Sequence, residues 1–553
     1  MYVDTSTLKR GTKTYTRYLL RTSFREEGKV KHKTIANLSS CTAEEIAAIK
    51  FALKHKHDLT ALGSLKDAEI SLEKRIGAVW TVNIIAERLG IKKVLGTGHQ
   101  GKLALLQIIS RLIGQGSRLS TVRFAKRHAV CEILGINKLD ENDLYKNLSW
   151  LSEHQEAIEQ ALFKVRFHDT VPTLFLYDVT SSYLEGTCNE LANWGYNRDK
   201  KRGKMQIVVG LLVGPDGMPV AIRVFEGNTN DPKTVSEQIR ILKEGFGVKD
   251  VTLIGDRGMI KGPQIELLPD DFRYVTAITK PQIRKMLREK VLQYELFAER
   301  VCEIAVDGIR YILRRNPMRA LQMAETREGK FAAIITAAEK QTRYLADHPR
   351  ADAVKALEKV RVKIKKLKAD KWLAATEEGR VIRISKDEAA LAEVSQLDGC
   401  YVIKSNVCKQ NADAQVLHDR YCDLETVERI FRTFKTTHLE LRPIYVRKKG
   451  STCGHAFVVM LALLVQRELE RLWSDLDITV EEGINELAAI HTQKIRLGKS
   501  AVDNIPIPNE IGIQLLKTAG ITLPSVFPHK SVNVHTKKKL QSGRKRKRLQ
   551  DFK

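Results

Sequence analysis

Alternation of apolar and polar positions opens the chain. Tyr15 to Phe24 and Val30 to Leu38 repeat with a period of two and flank the turn signal Glu26-Glu27-Gly28-Lys29, which predicts a β-ribbon within residues 1–40. In a matching register Arg17 and Arg21 join Lys29, Lys31 and Lys33 on one basic face suited to a phosphate backbone. An ordinary solvated face fits the same spacing equally well. Over residues 41–170 the period becomes helical. Val79, Val82, Ile85 and Leu89 share one helix face, and Leu105, Ile108, Ile109 and Leu112 share another, with breaks at Gly96-Thr97-Gly98 and Gly114-Gln115-Gly116. The basic stretch Arg118 to Arg127 fits part of a helix-turn-helix reader or a plain helical bundle.

From 171 to 280 the pattern predicts α/β structure. Thr173 to Tyr177 is a short apolar strand ending on Asp178. Met205 to Val213 and Pro219 to Glu226 flank the hairpin turn Gly214-Pro215-Asp216-Gly217. A helix opens at Asp231-Pro232 and places Val235, Ile239, Leu242 and Phe246 on one face. Val251 to Ile254 is a strand leading through Gly255 into Asp256, and Arg273 to Ile278 is another. Residues 281–420 interrupt this region with strands at Glu303 to Arg314 and Asp398 to Ser405, and with a lysine-rich helix, Ala353 to Leu367, between them. Residues 421–475 return to helix, including the apolar core run Ala456 to Val465, and 476–553 form a C-terminal region.

Composition changes the picture in one respect. The 553 residues hold 93 Lys and Arg against 66 Asp and Glu, a net charge of +27, which favours a polyanionic partner, nucleic acid first. The tail from Lys537 to Lys553 alone has nine basic residues and one acid, and reads as a disordered polyanion-attracting segment. The eight cysteines form no CxxC pair, so neither a zinc site nor a disulfide framework is expected, and the setting is a reducing cytoplasm. The longest apolar run is half a bilayer crossing, and the first residues lack a signal-peptide layout, so no membrane association is expected.

Three carboxylates carry candidate chemistry. Asp178 and Asp256 follow buried strands, where a carboxylate is desolvated on one side and open on the other, a setting that suits a hard divalent cation. Singly, either is as well explained as a turn former or helix cap. Glu428 lies in a helical segment whose Leu424, Val427, Phe431 and Phe434 face a core, with Tyr421, Glu428 and Lys435 in a row seven residues apart. Such a row can combine metal binding with phosphate contacts, and it also arises by chance on helix surfaces.

Taken together, these blocks resemble the DDE transposases of bacterial insertion sequences, in the subgroup with a Y-x2-R-x3-E-x6-K signature. Tyr421, Glu428 and Lys435 match, while Leu424 occupies the arginine position. Tyr177-Asp178-Val179-Thr180-Ser181, Phe225 to Asp231, Gly255-Asp256-Arg257-Gly258-Met259, Leu439 to Tyr445 and Gly454-His455 also resemble this group. The resemblance implies an RNase H-like catalytic core split into 171–280 and 421–475 by an inserted α+β subdomain at 281–420, and preceded by a β-ribbon and a helical region that binds DNA ends. It implies that Asp178, Asp256 and Glu428 are catalytic and hold two Mg²⁺ ions about 4 Å apart, with Mn²⁺ as the substitute. Tyr421, Lys435, Arg257 and Arg442 would contact DNA. His455 would either do likewise or be a buried, hydrogen-bonded core residue.

The implied reaction is hydrolysis at transposon ends followed by attack of the freed 3′-hydroxyl on target DNA. The implied partners are terminal inverted repeats and target duplex, with a dimer in the active complex, in a bacterial or archaeal cytoplasm close to the nucleoid. Two other readings fit the same blocks: an inactive repressor descended from a transposase, and a two-metal nuclease that cuts without joining.

Overall fold

The computed structural model describes all residues except 12, 58–67, 200, 261, 267, 436–438, 443–444, 498–499, 526, 528–532 and 535–553. The basic tail from Lys537 therefore lies outside the described residues. Two compact units emerge. One comprises Met1–Arg88, Leu105–Asp143 and Glu468–Lys553, the other Leu89–Ala104 and Leu144–Arg467.

In the first unit, residues 1–40 form three antiparallel strands, Tyr2–Arg10, Lys13–Glu26 and Lys29–Asn37, rather than a two-stranded ribbon. The register that would gather the basic residues on one face does not occur. Lys29, Lys31 and Lys33 stand opposite Glu26, Phe24 and Thr22, so they share the face of those residues, whereas Arg17, Arg21 and Arg25 occupy the other. Acids temper both sides: Lys31 pairs with Glu26 at 2.6 Å and Arg21 with Asp4 at 2.7 Å. The helix Ala43–Lys54 begins at a Thr42/Glu45 capping box and lays Lys50 over the Tyr18 ring. Helix Gly77–Arg88 buries Val79, Val82 and Ile85 as the periodicity predicts, and helix Arg118–Arg127 buries Val122 and Phe124. The strand Ala68–Arg75 was not foreseen. It pairs with His491–Leu497, which in turn pairs with Ser500–Asn504, so the C-terminal region completes a sheet begun some 400 residues earlier.

The second unit is built on an eight-stranded mixed sheet. Its strands in chain order are β1 (Leu174–Tyr183), β2 (Gln206–Val213), β3 (Pro219–Glu226), β4 (Val251–Gly255), β5 (Phe272–Ala277), β6 (Cys302–Val306), β7 (Ile309–Arg315) and β8 (Cys400–Ser405). Their spatial order is β6-β7-β8-β5-β4-β1-β2-β3. β1, β4 and β5 run parallel, and every other pairing is antiparallel. The predicted hairpin turn closes β2 onto β3, with the Gly214 N–H donating to the Met218 carbonyl at 2.9 Å.

The stretch expected as one strand at 303–314 is a hairpin instead. Asp307 and Gly308 take φ of 51° and 74°, the left-handed pair that a two-residue turn requires. With β8, this hairpin extends the sheet, so only the segment from α3 (Pro317–Asp347) through α4 (Ala353–Lys366) to about residue 395 stands apart. It has its own core of Ile334, Leu345, Val360, Ile364 and Trp372.

Both sheet faces are covered. Phe175, Tyr177, Val179, Leu253 and Tyr274 pack with Phe163 of α1 (Glu141–Arg166) and Val235 of α2 (Asp231–Arg240). On the other face, Ile254, Val275 and Ile403 pack with Leu417 of α5 (Ala414–Cys422) and Leu424 of α6 (Leu424–Lys435). Helix α7 (Lys449–Leu472) is long and apolar enough to span a bilayer by length and composition. Its run from Ala456 to Val465 is instead almost wholly buried within the protein, which marks it as a core helix.

Candidate active site

The sheet sets the first two carboxylates side by side. Tyr177 on β1 pairs with Gly255 on β4, so Asp178 and Asp256 follow on neighbouring parallel strands, whose axes lie about 4.8 Å apart. Asp178 is not at a strand end as expected. β1 runs on to Tyr183, because the β-branched and small residues after Asp178 continue the ladder with β2 as far as Gln206. Phe175, Tyr177 and Val179 face the α1/α2 side, so alternation turns Asp178 toward the face that carries α6. Asp256 follows the last residue of β4 and is exposed.

Each aspartate accepts a hydrogen bond from the next backbone N–H, from Val179 at 2.8 Å and from Arg257 at 2.7 Å. Burial lifts the Asp178 carboxyl from 3.8 to about 7. The Val179 N–H and Arg198 pull it back, and the charges of Asp256 and Glu428 push it further up. The charges of the other two acids therefore reach Asp178.

The row expected along one helix is divided. A break at Asp423 puts Tyr421 at the end of α5 and Glu428 and Lys435 on α6. Tyr421 is half-buried against the apolar cluster on the α5/α6 face. Burial raises its phenol pKa, the Asp256 charge adds to the rise, and Arg257 opposes it. Leu424, in place of the arginine, packs into the same cluster. Val427, Ile430, Phe431 and Phe434 anchor α6 and leave the Glu428 side chain 64% exposed, 3.8 Å from Arg432. Lys435 is held by Asp199 at 2.7 Å.

Arg442 makes a bidentate pair with Glu440, at 2.6 and 2.7 Å, and also contacts the Tyr183 hydroxyl, so its donors are engaged within the protein. His455 is buried and donates from Nε2 to the Glu440 carbonyl at 3.2 Å, in keeping with the core reading of this residue. Part of the block around it, Pro443 and Ile444, lies outside the described residues.

The loop between β1 and β2 adds residues that no motif in the sequence marks. Arg198 bonds Asp231 at 2.6 Å, and its backbone N–H donates to the Ser181 hydroxyl at 2.9 Å. Asp231 and Asp256 flank Gly258, where a methyl group would sit 3.7 and 3.9 Å from their Oδ2 atoms. The run Arg198-Asp199-Lys200-Lys201-Arg202 was the available signal, a charge cluster placed between two apolar strands.

Oxygen-only donors on a partly desolvated surface suit a hard divalent cation. Among the described residues, however, no three His, Cys, Asp or Glu side chains are gathered closely enough to hold an ion as they stand. Asp178 and Asp256 are adjacent already. Glu428 is exposed and free to turn away from Arg432, at the cost of an ion pair worth under about 0.5 kcal/mol.

Residues 169–465 match the family model described as the transposase DDE domain, and residues 3–66 match the IS1634 family transposase N-terminal domain. No curated protein matches the chain. Among solved structures, it resembles the cryo-EM structure of a piggyBac transposase synaptic complex with hairpin DNA at 6% identity and a TM-score of 0.34, over 70% of this chain and 69% of that one. The DDE match spans more than half of the 553 residues and takes in the whole β-sheet with both aspartates and Glu428, so the chain belongs to the DDE transposases of insertion sequences, metal-dependent enzymes of DNA transposition on an RNase H-like α/β fold.

Proposed function

We propose that this transposase cleaves DNA at transposon ends and transfers the freed 3′-hydroxyl to target DNA, with Asp178, Asp256 and Glu428 as the catalytic acids holding two Mg²⁺ ions. One observation supports the reading: the β1–β4 register sets Asp178 beside Asp256, and α6, the helix that carries Glu428, packs against β1. When bound, Mg²⁺ supplies Lewis-acid activation of the attacking oxygen and charge neutralisation at the leaving one. The chain itself supplies position and charge. Lys435 exchanges Asp199 for a backbone phosphate, Arg257, whose backbone N–H binds Asp256, offers its guanidinium to the DNA, and the half-buried Tyr421 limits water on that side.

Arg442 acts one step removed, holding Glu440 and Tyr183 in place. Residues 1–40 and 41–170 would recognise the terminal inverted repeats, with the inserted subdomain within 281–420 and the basic tail adding phosphate contacts along the duplex. The enzyme would work as a dimer on paired ends, in the cytoplasm at the nucleoid.

The test is nicking and strand transfer by the purified chain on supercoiled plasmid carrying the element's ends, with Mg²⁺ or EDTA. Asp178→Asn, Asp256→Asn and Glu428→Gln should each lower nicking by at least about 10²–10³-fold, the scale of losing one main stabiliser of transition-state charge. Cleavage surviving these changes would sink the assignment. Nicking without joining would indicate a nuclease, and end-specific binding without nicking a repressor.

A further inference from the structure

Where α3 leaves the sheet, a cleft of ≈ 670 Å³ opens between its first two turns, residues 297–299 ahead of β6 and residues 395–398 ahead of β8. Its floor is apolar, made by Phe297, Pro317, Ala320 and Ala324. Leu321 forms part of the rim at 59% exposure, and Met318, three residues earlier on the same side of the helix, is 66% exposed. Two apolar side chains in water beside an apolar hollow make a contiguous patch, which marks an interaction surface more than single exposed residues do. The patch is also rigid. Asn316 caps α3 by accepting from the Arg319 N–H at 3.0 Å, and its own N–H donates to the Gly399 carbonyl at 2.9 Å. Gly399, at φ 72°, lies so close that a methyl group would meet the Asn316 carbonyl at 2.3 Å. Arg327 adds a bidentate pair with Asp398. Knob and hollow therefore hold their spacing with no partner present.

The charges of the lining narrow the choice of partner. Arg315 and Glu299 both border the cleft, and among the described residues neither side chain makes a hydrogen bond or an ion pair. Asp398 is taken up by Arg327, so the charges around the cleft cancel, in a chain of net charge +27. A nucleic acid is drawn to surplus cations, which this patch lacks. A second copy of a basic chain is repelled over most of its surface and meets no net repulsion here.

We infer that this patch joins two copies of the chain across a twofold axis, with Met318 of each copy seated in the cleft of the other and Arg315 of each paired with Glu299 of the other. A twofold interface must be complementary to itself, and this one surface carries both a knob and a hollow, both a cation and an anion. Methionine and arginine are enriched where proteins meet, and an unbranched thioether fills an irregular hollow at little cost. The inference rests on the proposed dimer and assigns the surface that holds it.

The experiment is sedimentation velocity of the full chain over a concentration series, free and with DNA carrying the element's ends. The wild type should show a concentration-dependent dimer. Met318→Asp should raise its dissociation constant by at least about 30-fold, since an interface contact worth about fivefold is lost twice across a twofold axis. Its melting temperature, measured on the monomer, should not change, because the side chain is exposed. Arg315→Glu and Glu299→Arg should each weaken association, and the two together should restore it, as each new charge meets its complement in the other copy. A dimer that Met318→Asp leaves intact, or a charge-exchanged double variant no better than either single one, overturns the inference. So does a wild type that stays monomeric both free and on DNA. Plasmid nicking with Mg²⁺, measured in parallel on the wild type and Asp178→Asn, reports on the catalytic reading separately. Nicking that depends on Asp178, with no effect of Met318→Asp on association, leaves that reading standing and removes only this surface.

Discussion

Replacing Arg223 by methionine strands a buried carboxylate. Glu159 of α1 is 1% exposed and takes two bonds from the Arg223 guanidinium on β3, at 2.8 and 3.0 Å, with Gln155 and the Ile222 N–H as its other donors. Burial raises the Glu159 carboxyl pKa, and Arg223 is the largest of the opposing influences. Without the guanidinium, the charge must stay unpaired in a low-dielectric site or take up a proton. Breaking such a pair from one side costs about 3–5 kcal/mol, whereas removing both charges is far milder.

The unit concerned has roughly 340 residues, so at about 2.1 cal/mol/K per residue its unfolding entropy is near 0.7 kcal/mol/K. The loss then corresponds to a fall in melting temperature of about 4–7 °C. Thermal and urea melts of Arg223→Met, Glu159→Gln and the double variant form the assay. The double variant should recover more than half of the Arg223→Met deficit, because glutamine keeps the bonds to Gln155 and Ile222 without a charge. The sign with pH is also fixed. A carboxyl whose folded pKa lies above its unfolded value binds more protons when folded, so the Arg223→Met deficit should shrink as pH falls from 8 toward 5. A single variant within about 0.5 kcal/mol of wild type, or a double variant no better than Arg223→Met, refutes the reasoning.

Other outcomes follow from other sites. His128 is buried against the Phe124 ring, and burial lowers its pKa from 6.5 to about 4, so the unfolded chain binds the extra proton. Stability should drop by on the order of 3 kcal/mol as pH falls from 6.5 through 4, and a His128→Gln variant should lack this component in pH-dependent melts. Gly454 of α7 sits where a methyl group would meet the Leu148 carbonyl of α1 at 2.0 Å, so Gly454→Ala should cost about 1–3 kcal/mol in denaturant titrations. Lys435→Ala should weaken DNA binding about equally for all sequences and lower the slope of log K against log salt by about 0.9; an unchanged slope removes Lys435 from the phosphate contacts.

Much of the sheet was legible because its strands announce themselves. β2 and β3 are apolar runs closed by Pro-Asp-Gly chemistry, and α6 declares its buried face by the spacing of Val427, Phe431 and Phe434. What escaped depended on partners distant in sequence. Ala68–Arg75 is too polar to read as a strand until His491–Leu497 pairs with it. The far half of β1 looks like a loop until β2 continues the ladder. The Asp307-Gly308 turn was a local signal simply passed over.

For the site, residue types at strand ends pointed to Asp178 and Asp256, but only the register makes them neighbours. The lysine-rich helix shows the limit of charge counting. Lys363 of α4 donates to the Ala333 carbonyl at 2.8 Å and Arg361 to the Ala375 carbonyl, so part of that charge serves the subdomain's own packing.

The long excursion between Asp178 and Glu428 also has a consequence in time. The two acids are 250 residues apart in the chain. At a synthesis rate of about 5–20 residues per second, the ribosome needs roughly 12–50 s after making the first to deliver the last. During that interval the nascent sheet can assemble from β1 to β8, because every one of its strands precedes α6. If Glu428 is the third catalytic acid, as proposed, a growing polypeptide carries a folded but inactive scaffold until α6 has left the exit tunnel and docked on β1.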